Sequence, residues 1–473
     1  MVFSSLTFLC VFLTVIFLIY TVVPSLKFRN GLLIFASLAF YAYGEPLYVL
    51  LMIFSSVLNY FSARLMHNKG GRRNKTVLIA AVILNLGILA VFKYTGFIVT
   101  SFNSVTGLGI PVPEIVLPIG ISFFTFQALS YVIDVYRGNV DVQKNYFKVL
   151  LYIVLFPQLI AGPIVKYRDV SEQINDRKQS VEKIAFGLRR FIFGLSKKVF
   201  IANTMGQTAD IIFASDFGSL SVVTAWLGAF AYLFQIYYDF SGYSDMAIGL
   251  GMMFGFDFKE NFNYPYSSLS IQDFWRRWHI SLSTWFKEYL YIPLGGNRKG
   301  RARTSLNKMI VFFCTGLWHG ASWTFVLWGL YHGLFLMLEQ FVPFVKRIPK
   351  ALAWVYSILV VTVGFVMFRA DTVGQGFAFI GRMFGGFNIS ASSVSLALTQ
   401  LTPWFIAMFI VAIFGSIPAR FISTKLKYNG QASLSIKQSV VQGIIFVAAF
   451  VMLVWCMLRL SGTSYNPFIY FRF

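Results

Sequence analysis

The chain has 473 residues, of which 57% are hydrophobic, 18% aromatic and only 12% charged, with a formal net charge of +22. A soluble globular domain carries about 25% charged residues, so this balance excludes a soluble enzyme. The 40 Lys and Arg residues fall in short clusters between apolar runs, which is the pattern of membrane loops beside anionic headgroups and not of a nucleic-acid-binding face.

Residues 1–26 contain no charged side chain. A helix needs about 20 apolar residues to cross the hydrocarbon, so a first span is predicted over 6–23. It lacks a basic leading region and an A-x-A-like site, and so reads as a retained span and not as a cleaved signal. Further spans are expected over 31–43, 47–63, 76–92 and 115–133. Lys27 and Arg29 follow the first span, and Lys69, Arg72, Arg73 and Lys75 follow the third. A hairpin at Glu45-Pro46 puts both clusters on one side, which the positive-inside rule makes cytoplasmic. The N-terminus is then expected outside.

Segment 150–164 (LLYIVLFPQLIAGPI) interrupts a short apolar run with Pro157 and Gly162-Pro163. Proline removes a backbone donor, and freed backbone at membrane depth must be buried in protein, so a re-entrant element is expected. Segment 181–203 mixes Arg189, Arg190, Lys197 and Lys198 with apolar residues and reads as an amphipathic helix at the cytoplasmic surface. Spans are predicted over 199–213 and 222–238. In 271–294, Trp275, Trp278, Leu282, Trp285 or Phe286, and Tyr289 recur at three- and four-residue steps, the signature of one amphipathic helix. The basic loop after it (Arg298, Lys299, Arg301, Arg303, Lys308) pins that end to the cytoplasmic side. Last come spans over 309–328, 329–344, 351–368, 404–418 and 440–458. The sum is an all-α polytopic membrane protein of one domain, 1–473, ending in an aromatic tail, 465–473, with no soluble domain and no internal repeat.

Few side chains are left to carry chemistry. Cys10, Cys314 and Cys456 lie in apolar runs without paired spacing and read as small buried hydrophobes. His319 sits ten residues past Met309 in a run free of formal charge. At 1.5 Å per residue that is roughly 15 Å of helix, half the hydrocarbon thickness. An ionisable group there is a functional candidate; the alternative is a neutral imidazole bonding a neighbouring helix. Gly316, Gly320 and Ala321 allow close approach beside it, and Trp318 supplies an aromatic wall. His279 shares the apolar face of its predicted helix with Trp275, Leu282 and Phe286; it faces either the interior near His319 or the interface. Two such histidines can serve as a base and an orienting or acid partner. His332, thirteen residues beyond His319, falls on another face if the helix is continuous, and His67 lies in a basic loop. Asp239 and Asp245, beside Ser241, Gly242 and Ser244, are read either as proton-relay carboxylates or as helix-end hydrogen-bonding groups. No Ser-His-Asp order and no metal-ligand spacing is present, so no metal is expected.

Several segments in order resemble the membrane-bound O-acyltransferase (MBOAT) family. They are LPIGISFFTFQALSYVIDVYRG (117–138), LFPQLIAGPI (155–164), YYDFSGYSDMAIGLGMMFGFDFKENFNYPY (237–266), FWRRWHISLSTWFKEYLYIPLGGNRKG (274–300), GLWHGASWTFVLWGLYHG (316–333) and the terminal PFIYFRF. The likeness is to the bacterial branch that includes the alginate O-acetylation membrane subunit. It implies a ring of about 11–12 tilted helices around a central tunnel, with re-entrant and amphipathic pieces. It implies that His319 is the catalytic histidine and His279 the second family histidine, with Trp275, Trp278 and Trp318 as tunnel-lining aromatics.

The resemblance further implies a bacterial cytoplasmic-membrane enzyme that takes an acyl group from a cytoplasmic thioester, acetyl-CoA being the expected donor. The acceptor would be an extracellular polysaccharide or wall polymer, reached with a secreted or membrane-anchored serine-hydrolase-like partner. Tyr470, in the aromatic tail, is the candidate for an outward acyl relay, against the alternative of an interfacial anchor. Two other readings stand beside this one. D-Alanyl transfer to teichoic acid would draw on a carrier-protein thioester, and a transporter or flippase would predict paired broken helices in inverted repeats.

Overall fold

The computed structural model describes residues 1–66, 74–342, 345, 347–387, 389–418, 436–463 and 465–469; His67 and Tyr470 lie outside them. Among these residues every regular element is a helix. Tyr48–Met66, Lys75–Thr106, Lys350–Arg369 and Val440–Gly462 are each long and apolar enough to cross a bilayer, and Ala391–Gln400 with Pro403–Gly415 form a further pair bent by 74°. Only 11% of the apolar window in Val440–Gly462 is buried, a surface suited to hydrocarbon and not to water. The chain is an all-α polytopic membrane protein.

Several expected spans are shorter or interrupted. Residues 6–23 form a π-helical stretch, Thr7–Leu13, running into Thr14–Val22. The helix expected from residue 115 begins at Ile121, after Pro118 and after Gly120 at φ +76°. The spans expected over 309–328 and 329–344 have other bounds: the two helices are Gly300–His319 and Trp323–Phe341, joined as a hairpin. Helices Val373–Gly385 and Ala391–Gln400 fall where the apolar pattern suggests none.

The chain divides into two compact units. One comprises Met1–Phe191 with Ser244–Lys259, the other Ile192–Tyr243 with Glu260–Phe473. In the first unit, Phe8, Phe40 and Phe156 pack ring against ring. Asn59 and Asn85 exchange amide hydrogen bonds of 2.9 and 3.0 Å between buried helix faces. Every residue from 150 to 164 is buried. Helix Tyr146–Val154 ends there, Phe156–Leu159 adds one turn, and the freed backbone finds partners: Phe156 N–H donates to Ser37 Oγ at 3.0 Å and Tyr152 Oη to the Val165 carbonyl at 2.9 Å. A Cβ at Gly120 would lie 2.8 Å from the Leu159 carbonyl oxygen, so only glycine admits this segment.

Segment 181–203 corrects its sequence reading. Its basic residues do not line a solvated face: Arg189 is 2% exposed, with its guanidinium 4.3 Å above the Phe186 ring, and Arg190 pairs with Asp245 at 2.8 Å. Asp245 is therefore an ion-pair partner. Of the three cysteines only Cys456 is buried, while Cys10 is exposed and Cys314 is intermediate.

Candidate active site

The candidate site lies wholly in the second unit and begins with the hairpin that carries His319. Gly300–His319 stops at His319, Gly320 continues in extended backbone, and Ser322 caps the next helix by accepting the Thr324 N–H at 3.3 Å. The two helices close backbone to backbone because they meet at glycines. A Cβ on Gly316 would lie 2.3 Å from the Phe325 carbonyl oxygen, and one on Gly329 would lie 2.2 Å from that of Phe312. His319 is therefore not mid-helix, as the charge-free run suggests, but the last residue of a helix. That helix end concentrates carbonyl dipoles and favours positive charge.

His279 also sits at a break. Ile271–Arg277 is capped by Ser270 Oγ, which accepts the Asp273 N–H at 3.0 Å, and ends at Trp278; Ile280–Phe286 starts after His279. His279 itself has φ +42° and ψ +55°. For a residue with a Cβ this left-handed backbone costs about 1–3 kcal/mol and needs support from its surroundings. The single amphipathic helix predicted over 271–294 is thus corrected to two short helices and a π turn, Lys287–Tyr291.

Asn261 holds the break open. Its carbonyl accepts the Ile280 N–H at 2.9 Å, and its Oδ1 accepts from Ser281 N at 3.1 Å and Ser281 Oγ at 2.8 Å. His279 Nδ1 is 3.2 Å from the same Oδ1. A backbone N–H can only donate, so the Asn261 atom facing it is the oxygen and the amide orientation is settled. An amide oxygen cannot donate, so Nδ1 of His279 must carry the proton. Nε2 is then the bare nitrogen, and it has no hydrogen-bond partner among the described residues. Burial disfavours the imidazolium and pushes the His279 pKa down to about 3. The ring is neutral at physiological pH.

The two histidine rings lie 6.4 Å apart. Trp318 stands 5.8 Å from His279 and 5.0 Å from His319. Trp328 and Phe368 close on His319 at 5.1 and 5.2 Å, and Phe240 meets His279 edge-on at 4.6 Å. His319 opens onto a narrow cavity of about 10 Å³. Helix Val222–Met253 gives this cavity Ile236 and Phe240, the break gives Trp278, and Lys350–Arg369 gives Phe365 and Phe368. Trp328 and Ile469 complete the wall.

Of the predicted site residues, His319, His279, Trp278 and Trp318 come together here. Trp275 stands one layer back, against Phe312 at 4.9 Å and Trp328 at 5.6 Å. His332 is fully buried between Trp275 and Trp328, 5.2 Å from each, so the hairpin brings it near the His319 layer and not onto a remote face. Tyr470 lies outside the described residues, but its neighbour Ile469 is in the cavity wall. Sequence reasoning missed Asn261, Ser281, Phe365, Phe368 and Ile469. Only Asn261, one of two amides in NFNYPY, could have been singled out.

Comparison with known proteins agrees with this architecture. The profile of MBOAT, the membrane-bound O-acyltransferase family, matches residues 140–370, a span that contains both histidine breaks. A protein of Azotobacter vinelandii called "Probable alginate O-acetylase AlgI" is 39% identical, with all of both chains covered. The "Peptidoglycan O-acetyltransferase" of Helicobacter pylori is 38% identical over 84% of this chain and 82% of its own. The "Teichoic acid D-alanyltransferase" of Bacillus subtilis is 26% identical over 47% of this chain and 59% of its own. With full-length relatives of that kind, the chain is a multi-pass bacterial membrane enzyme and belongs to the membrane-bound O-acyltransferase family.

Proposed function

We propose that the chain moves an acetyl group from a cytoplasmic thioester, acetyl-CoA, toward O-acetylation of an extracellular polysaccharide or wall polymer, with His319 as general base. The observation that carries this reading is the enclosed aromatic cavity into which the His319 ring opens, with the neutral His279 6.4 Å away. The cavity is narrow, with about 10 Å³ of free space, on the order of one water molecule, so a donor's acyl end enters it only as the aromatic walls give way.

In the transfer, a hydroxyl oxygen attacks the thioester carbonyl carbon while His319 takes the hydroxyl proton. The helix end stabilises the imidazolium so formed, and the proton then passes to the departing thiolate. The products are an oxygen ester and a free thiol. A thioester is already activated, and no metal is required. His279, with Nε2 bare, accepts a hydrogen bond and orients its donor; it cannot serve as the acid in this tautomer. An aromatic, water-poor wall strengthens each of these polar interactions.

The relatives named for alginate and peptidoglycan acetylation favour a polymer acceptor, and a serine-hydrolase-like partner would complete the transfer outside. Tyr470, next to the cavity-lining Ile469, is the candidate to carry the acyl group as a phenolic ester. Full polymer acetylation by Tyr470→Phe would end that part of the reading. The donor is tested with purified protein in liposomes. Acetyl-CoA should release free thiol in step with ester formation, whereas dependence on a carrier-protein D-alanyl thioester would replace this reading with teichoic acid D-alanylation.

The tautomer argument gives its own prediction. Asn261→Ala removes the acceptor that fixes His279, and acyl transfer should fall roughly 10-fold, part of the 10²–10⁴ that a positioned acid–base group contributes. Asn261→Asp keeps the acceptor atom and should retain more activity than the alanine variant. Initial rates of thiol release on folded, size-fractionated protein check the order; equal rates for wild type and Asn261→Ala would refute it.

A further inference from the structure

Apart from the histidines, the most heavily buried charged groups among the described residues of the second unit are Lys198 and Asp239, 3% and 2% exposed, with Nζ and Oδ1 2.7 Å apart. A buried ion pair is a poor stabiliser, because desolvation offsets most of the attraction and an apolar pair of like volume does as well or better. The pair therefore calls for another role, and its remaining contacts supply one. Lys198 Nζ also donates to the Pro467 carbonyl, and Asp239 Oδ2 accepts the Ile469 N–H at 2.7 Å.

Residues 465–468 lie outside any helix, so their backbone polar groups have no regular partners, and buried backbone groups must find some. The ion pair provides a donor for one carbonyl and an acceptor for one N–H, both charge-assisted and hence strong. Other contacts on the same segment agree. Phe468 stacks on Tyr243 at 4.7 Å, and Tyr243 is one helical turn beyond Asp239 on helix Val222–Met253. Tyr465 Oη donates to Asp210 Oδ2 at 2.6 Å, while Arg369 holds the other oxygen of Asp210 at 2.6 Å. The segment so held ends with Ile469 in the cavity wall beside His319.

The location of the pair fits the same purpose. Lys198 belongs to a π-helical turn, Lys197–Ala202, a rare form found frequently at functional sites. Helix Val222–Met253 reaches this turn because residue 242 is glycine; a Cβ there would lie 2.7 Å from the Gly194 carbonyl oxygen.

We propose that Lys198 and Asp239 are positioning residues that seat the C-terminal segment 467–469 as a wall of the acyl-transfer cavity. Neither lines the cavity, so neither touches the reacting atoms. The inference rests on the proposed transfer reaction only for its functional consequence; the seating itself is independent of it.

The test reads seating directly. Ile469→Cys is made in full-length protein with Cys10, Cys314 and Cys456 replaced by alanine, and its reaction with a water-soluble maleimide is timed. In an otherwise native background the thiol should be protected. With Asp239→Asn or Lys198→Met it should react at least 10-fold faster, and Lys198→Arg should restore protection. If leaving one charge unpaired prevents folding, the double variant Lys198→Met/Asp239→Leu removes both charges and should fold yet label fast. Acyl transfer should fall with seating, and Asp239→Asn should cost nothing further in a chain cut after Gly462, because the two changes act on one element. Unchanged labelling in folded Asp239→Asn and in the double variant would overturn the proposal. Labelling as expected, together with full transfer by His319→Ala, would leave the seating intact and remove the transfer reading instead.

Discussion

His319→Ala is expected to lower acyl transfer by about 10²–10⁴, the contribution of a positioned acid–base side chain, while leaving the protein folded. The expectation follows from where the ring is. It is 5% exposed, ends the helix Gly300–His319, and faces a cavity otherwise lined by apolar and aromatic side chains. No other described titratable side chain lines that cavity, so none there can take over the proton. His319→Gln keeps much of the volume and the hydrogen-bonding capacity but cannot take up the proton, and should be as inactive. Thiol-release rates with a saturating thioester, on protein shown to be monodisperse, measure the loss. A residual rate within threefold of wild type would mean that His319 supports the cavity and does not act in it.

The second large effect falls on stability. Gly329→Ala places a Cβ 2.2 Å from the Phe312 carbonyl oxygen and 3.2 Å from the Gly316 Cα. The obstacles are backbone atoms of the opposing helix, so no rotamer change relieves them and the hairpin must part. Overpacking of this kind costs about 1–3 kcal/mol, and with rigid backbone on both sides the upper end is expected. Thermal unfolding in detergent should show a clearly lowered midpoint. Gly381→Ala is the matched control: nothing lies within 4 Å of its added Cβ, and alanine gains up to about 1 kcal/mol over glycine inside a helix. It should be neutral or stabilising. A parted hairpin also separates His319 from Trp328, now 5.1 Å apart, so activity should fall along with stability.

How far the sequence could be read depends on the range of the interactions involved. Charge-free runs mark apolar helices because hydrocarbon burial is a local property of composition, and Tyr48–Met66 and Lys350–Arg369 coincide closely with the expected 47–63 and 351–368. Breaks within helices are another matter. The stop at His319 had a local signal, since Gly320 and Ser322 make a helix end followed by an N-cap; the apolar run around them hid it. The break at His279 had none. Neither Trp278 nor His279 is a helix breaker, and the groups that stabilise the left-handed backbone belong to Asn261, eighteen residues earlier. Lys198 read as a surface cation because its neighbours are basic, whereas its partners, Asp239 and the backbone at 467–469, are remote in sequence. The chemistry-bearing histidines could be picked out by their cost in an apolar setting. Their tautomer, their 6.4 Å spacing and the wall behind them depend on contacts that no local pattern encodes.

The central claim is that acyl transfer to a surface polymer passes through His319. It is tested most directly by measuring ester-linked acetate on cell-surface polymer in cells deleted for this gene and complemented with wild type or with His319→Ala at matched membrane abundance. Wild type should restore the acetate and His319→Ala should leave it at the deletion level. Equal acetate from the two constructs would contradict the account.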